Sequence, residues 1–157
     1  MKRTEGEAQL PLGHGTQNGC FGCGDANESG LQLRFFVNAE QQVECRVSLD
    51  ARFQGPPGYA HGGIIATLLD EAMSKANRRR GVYAMTRQMS VEYLRPVPLA
   101  TELMLESHAE TEGGRKHRCT ATLREMGGRV LATATGLFIE VRPERLLHRP
   151  DAREPAR

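Results

Sequence analysis

The chain has 157 residues, 39% of them hydrophobic and 25% charged, which suits one folded domain with a single sizeable core and excludes a disordered polypeptide. A net charge of +2, 5% aromatic residues and no Trp argue against a nucleic-acid partner, which calls for a basic or base-stacking surface. No apolar run nears the roughly 20 residues that span a bilayer, and the opening Met1-Lys2-Arg3-Thr4-Glu5-Gly6-Glu7 lacks the apolar stretch of a signal peptide. The expectation is therefore a cytoplasmic protein with no membrane partner.

Residues 1–18 are polar with Gly and Pro and read as a flexible N-terminal arm ahead of a domain over 19–141. Residues 19–30 form a turn-rich loop around Cys20-Phe21-Gly22-Cys23. Such a pair is half of a zinc site, but a closed site needs four ligands and no second pair of matching spacing follows. The expectation is a tight turn with no metal. Cys45 and Cys119 fall in alternating segments and read as small core residues.

Residues 31–37 and 43–49 alternate apolar with polar and predict two antiparallel strands joined through 38–42. After Phe53-Gln54-Gly55-Pro56-Pro57-Gly58-Tyr59, which cannot hold regular structure, a helix is predicted over about 62–79. It stops at Arg78-Arg79-Arg80-Gly81, with cations at the negative end of its dipole and Gly as the cap. Strands are predicted over 86–94, 102–111, 117–125 and 129–141, the first ended by Pro96 and Pro98 and the last three separated by Gly113-Gly114 and Gly127-Gly128. From Arg142 the charged, Pro-containing sequence reads as a disordered tail over 142–157. One long helix with about six antiparallel strands makes an α+β domain.

Chemistry concentrates on that helix. Gly62 and Gly63 let a ligand approach the first N–H groups of the helix, which are unpaired and sit at its positive end, so an anion or carbonyl oxygen fits there. At about 100° per residue, Ile65, Leu68, Leu69, Ala72 and Ala76 share a stripe and Asp70 points away from it, as a solvated acid would. Ala66, Thr67 and Met73 are placed beside Asp70, however, and such small or apolar neighbours predict that something packs on this face.

His61-Gly62-Gly63 at the start of an apolar helix, an acid nine positions after the His, and a later strand ending in Tyr93-Leu94-Arg95-Pro96 resemble the hotdog-fold acyl-CoA thioesterases, in particular the phenylacetate-pathway type. The likeness covers about residues 18–141 and implies a long central helix wrapped by a curved antiparallel sheet. It implies hydrolysis of an acyl-CoA or similar thioester by a homodimer or homotetramer, without a cofactor. Carried over by position, Asp70 is general base or nucleophile, Gly63 with Gly62 beside it holds the thioester oxygen, and Thr86 orients the attacking water. Gln54 stands where several relatives have Asn, and His61 belongs to the same constellation, where its ring also serves to shape the turn. Arg95, Arg115 and Lys116 are the candidate cations for CoA phosphates, each equally suited to be an ordinary surface charge. Glu71, Tyr59 and Tyr93 read as structural. A non-catalytic acyl-CoA-binding module of the same fold is the alternative, since a fold does not fix a function.

Overall fold

The structure is a computed structural model that describes Ala8–Gln9 and residues 18–147. Strands β1 (Ala8–Gln9), β2 (Phe36–Val37), β3 (Val43–Val47), β4 (Ala84–Tyr93), β5 (Leu103–Gly113), β6 (Lys116–Glu125) and β7 (Val130–Glu140) form one antiparallel sheet in the order β1-β2-β3-β5-β6-β7-β4. Helix α1 (Gly62–Arg79) lies on one face and touches five of the strands, β3 to β7. The expected α+β architecture is thus present, with the two-residue β1 as a seventh, edge strand.

The alternation that predicts the strands also builds the core. Val43, Cys45 and Val47 of β3, Leu103 and Leu105 of β5, Cys119, Ala121 and Leu123 of β6, and Ala132, Ala134 and Phe138 of β7 point inward. Ile65, Leu68, Leu69, Ala72, Met73 and Ala76 of α1 fill the space above them. Ser107 of β5, itself buried, donates to the Ala72 carbonyl at 2.6 Å and ties the helix to the sheet. The helix ends with Gly81 at φ +75°, its N–H on the Arg78 carbonyl and the Val82 N–H on the Asn77 carbonyl. This left-handed stop satisfies the last carbonyls and favours Gly, as the sequence predicts.

Four expectations are corrected. The strand predicted over 31–37 shrinks to Phe36–Val37, because the Leu31 and Leu33 N–H groups bond Phe21 and Gly22 of the cysteine loop and Gln32 takes φ +49°. Met73 is fully buried rather than on the Asp70 face; a Cβ added to Gly136 would come within 3.1 Å of its sulfur, so the gap left by Gly136 is what seats it. The tail begins with a helical turn, α2 (Pro143–Leu147), where disorder is expected, and the rest of that segment lies outside the described residues. In the expected N-terminal arm, Ala8–Gln9 pair with β2 and Asn18 is buried; the other residues of that arm are outside the description. Among the described residues no helix is long and apolar enough to cross a membrane.

Candidate active site on the central helix

The start of α1 is fixed from below. The His61 N–H donates to the Phe53 carbonyl and the Ala60 N–H to the Val97 carbonyl, and Phe53, Ala60 and Val97 are buried. His61 is the N-cap: its backbone is extended and its Nδ1 accepts the Gly63 N–H at 2.9 Å. This requires an unprotonated Nδ1 and satisfies one of the donors a helix start leaves open. The Gly63 N–H, expected to face a thioester oxygen, is therefore held by His61 in this chain. The Gly62 N–H has no backbone acceptor among the described residues. Tyr93, expected only to pack, donates its hydroxyl to the Gly62 carbonyl at 3.1 Å.

Two turns further along, the Asp70 carboxylate meets β4. Thr86 Oγ1 donates to Asp70 Oδ1 at 2.6 Å. The two residues are 16 positions apart and meet because β4 runs antiparallel to α1, with Tyr93 beside the helix start and Thr86 beside its middle. A bulge follows Thr86: Thr86 pairs with Phe138 and Gln88 with Leu137, leaving Arg87 as the extra residue. Bulges re-aim side chains, and this one lies directly beside the acid. Burial pushes the Asp70 carboxyl above the ordinary aspartate range; the Thr86 hydrogen bond opposes that shift and the neighbouring Glu71 adds to it.

The remaining candidates are dispersed. Gln54 Oε1 accepts the Gly58 N–H at 3.0 Å and closes the loop before the helix. Arg95 lies beyond the Tyr93 end of β4 and donates to the Val130 carbonyl at 2.7 Å. Lys116 pairs with Ile139, itself the partner of Met85, so Lys116 and its neighbour Arg115 lie at the Thr86 end. Ten residues of extended chain separate Met85 from Arg95, about 30 Å; the three cations therefore do not share one phosphate. Arg115 does line a surface cleft of about 380 Å³ with Arg142 and Arg145, two residues the sequence reading left in the tail.

The helix geometry also separates the oxygen-binding end from the acid. Asp70 stands seven positions after Gly63 along α1, a rise of about 10 Å, so in one chain they cannot meet the same carbonyl group. The acid lies next to a sheet edge: among the described residues β4 ends the sheet, and Met85 and Tyr93 on it, Leu94 just after it and Tyr59 in the loop before the helix are exposed.

Residues 57–132 match the model of the thioesterase superfamily. The acyl-coenzyme A thioesterase THEM4 of Rattus norvegicus is 32% identical over 120 residues, which cover 75% of this chain and 52% of that protein. The chain spans about half the length of these curated relatives, 52% of the rat and 50% of the Bos taurus protein. A solved thioesterase superfamily protein is 34% identical with a TM-score of 0.69, over 73% of this chain and 56% of that one. A Bacillus halodurans protein solved with CoA is 26% identical with a TM-score of 0.65, over 74% of this chain and 79% of its own.

Proposed function

We propose, since the chain carries a hotdog domain of the thioesterase superfamily, that it hydrolyses acyl-CoA-type thioesters to the free acid and thiol. The observation that carries this reading is the Asp70–Thr86 pair, a half-buried carboxylate in the middle of the central helix with a hydroxyl 2.6 Å away. A carboxyl lifted above its usual range is a better base near neutral pH than an exposed aspartate. Asp70 either takes a proton from the water that attacks the carbonyl carbon and passes it to the thiolate as the C–S bond breaks, or attacks that carbon itself and expels a thiolate that takes its proton from solvent. Water positioned by Thr86 serves the first route and hydrolyses the acyl-aspartyl intermediate of the second.

The thioester oxygen goes to the N-terminal glycines of a helix, where the Gly62 N–H adjoins the Gly63 N–H and the oxygen competes with His61 Nδ1 for the latter. Because about 10 Å of helix separates this end from Asp70, the reading places two chains around one substrate, paired along β4, with the acid from one and the glycines from the other. The cleft lined by Arg115, Arg142 and Arg145 offers guanidinium groups for CoA phosphates. Support for an acyl-CoA substrate comes from relatives named acyl-coenzyme A thioesterases and from a similar protein solved with CoA.

The test is a panel of aliphatic and aromatic acyl-CoA thioesters read by release of free thiol. Turnover of at least one member that is lost in Asp70→Asn supports the reading; binding of acyl-CoA without turnover by the unmodified protein makes the domain a binding module instead. Single-turnover hydrolysis in ¹⁸O-water tests the second route, since water attack on the aspartyl carbon of the intermediate carries an unlabelled Asp70 oxygen into the product and leaves ¹⁸O on Asp70.

A further inference from the structure

Opposite the Asp70 flank, α1 buries a second constellation that hydrolysis does not use. Lys75 is 1% exposed and Glu71 12% exposed at their side chains, and Lys75 Nζ lies 3.1 Å from Glu71 Oε1. That contact pairs charges without the alignment of a hydrogen bond. The same ammonium donates to Cys23 Sγ at 3.0 Å, Asn18 Nδ2 lies 3.5 Å from that sulfur, and Cys20 Sγ lies 3.8 Å from Glu71 Oε2. Gly22 allows this approach: a Cβ there would come within 2.6 Å of Glu71 Oε2.

The two sulfurs and a Glu71 oxygen all lie within 4.8 Å of one another. Three such donors invite a metal, but the cation of this cluster is already Lys75, whose ammonium contacts both a sulfur and the carboxylate. A second cation beside it is opposed by repulsion in a site of low dielectric. What remains is a pair of thiols three residues apart on a turn closed by the Gly24 N–H on the Cys20 carbonyl at 2.8 Å. Their sulfurs lie within 4.8 Å of one another on this turn, close enough for a small movement to bring them to bonding distance.

We propose that Cys20 and Cys23 are a reversible dithiol–disulfide site, oxidised by a low-molecular-weight disulfide and served by Glu71 and Lys75 as proton acceptor and buried cation. Cys20 is the partly exposed member and enters first. Its proton goes to the Glu71 carboxylate, its thiolate attacks the external disulfide, and one external thiol leaves. The departing external thiolate takes that proton from Glu71, which then accepts the Cys23 proton; Cys23 Sγ, beside the Lys75 ammonium, attacks Cys20 Sγ and expels the second external group, which leaves with the proton from Glu71, so the two protein thiols are oxidised and one external disulfide is reduced to two thiols. Burial pushes the Cys23 thiol up to about 11, against the effect of Lys75, which makes it a poor first nucleophile but a suitable internal one. Cys45 and Cys119 are 0% exposed and out of reach of an external disulfide.

The experiment incubates the folded, full-length protein with graded mixtures of oxidised and reduced glutathione and follows intact mass, peptide maps and circular dichroism. The expected product has lost two hydrogens, carries a Cys20–Cys23 bond, keeps Cys45 and Cys119 as thiols and returns to the starting mass with dithiothreitol. Cys23→Ser is expected to stop at a glutathione adduct on Cys20, and Cys20→Ser to remain unmodified. A native-like protein that forms no Cys20–Cys23 bond at any ratio overturns the proposal, as does a lasting adduct on Cys20 when Cys23 is intact. One tightly held zinc per chain that blocks both thiols overturns it in favour of a metal site. None of these readouts depends on thioester turnover.

Discussion

Asp70 and Glu71, adjacent in the chain, leave α1 on opposite flanks: Asp70 accepts the Thr86 hydroxyl on the side of β4, and Glu71 meets Lys75 and Cys20 beneath the N-terminal loop. About 100° of helical rotation separates consecutive residues, which puts the first acid at a sheet edge and the second in a buried ion pair.

Asp70→Asn is expected to reduce thioester turnover by about 10²–10⁴-fold, the usual effect of losing a general base, with more lost if Asp70 is the nucleophile. It is not expected to destabilise the fold. The folded state holds the Asp70 proton more tightly than the unfolded chain does, so stability falls as pH rises from the unfolded toward the folded pKa, and ionised Asp70 is a cost at neutral pH. Thermal melts at pH 7 should show an unchanged or higher midpoint; a large drop would contradict this account of the site.

Thr86→Ala removes the hydrogen bond that holds the Asp70 pKa down. The acidic limb of the pH–rate profile, where turnover rises as Asp70 ionises, should therefore move to higher pH. Thr86→Ser should restore it. An alanine variant with lower turnover at every pH and an unmoved limb would assign Thr86 to water positioning alone.

Glu71→Gln is expected to reverse that pattern, with turnover changing far less than in Asp70→Asn and stability falling. Removing one partner of a buried ion pair typically costs about 3–5 kcal/mol, and Glu71 is 12% exposed beside a fully buried Lys75. Urea unfolding measures the loss. If the two acid substitutions exchanged outcomes, Glu71 would be the reacting acid.

Gly136→Ala should destabilise the sheet-to-helix packing by about 1–3 kcal/mol, the range for overpacking a filled core. The added Cβ would lie 2.8 Å from the Phe138 ring and 3.1 Å from Met73 Sδ. Met73 is flexible, but Phe138 is fully buried and has no free space to turn into. A variant with unchanged urea midpoint would mean that β7 yields more readily than its burial implies.

The proposed two-chain site predicts a mass in solution of at least twice 17.3 kDa. Light scattering at micromolar concentration is the measurement, and a stable monomer that still hydrolyses thioesters would remove the need for a partner's helix end. The long, exposed edge of β4 is the motive, since such edges invite pairing.

The sequence by itself determined the elements whose signal is local. The apolar periodicity and Gly81 placed α1 at Gly62–Arg79, and alternation bounded by Pro96 after β4 and by paired glycines between β5, β6 and β7 placed these four strands within one or two residues. The His61, Gly62, Gly63 and Asp70 spacing was equally legible, because it lies along one helix. Tertiary structure decided what depends on long-range partners. Leu31 to Leu33 alternate as a strand does, yet their N–H groups bond the cysteine loop, which no local pattern reveals. Met73 sits at the margin of the helical stripe, and only the missing side chain of Gly136 across the core draws it inside. The pairing of Asp70 with Thr86 needs the antiparallel run of β4 beside α1, and Lys75 enters the cysteine cluster because the N-terminal loop folds over the helix 52 residues away in sequence. A buried lysine looks in sequence like any surface lysine; its burial follows from the carboxylate and the sulfur that the fold brings to it.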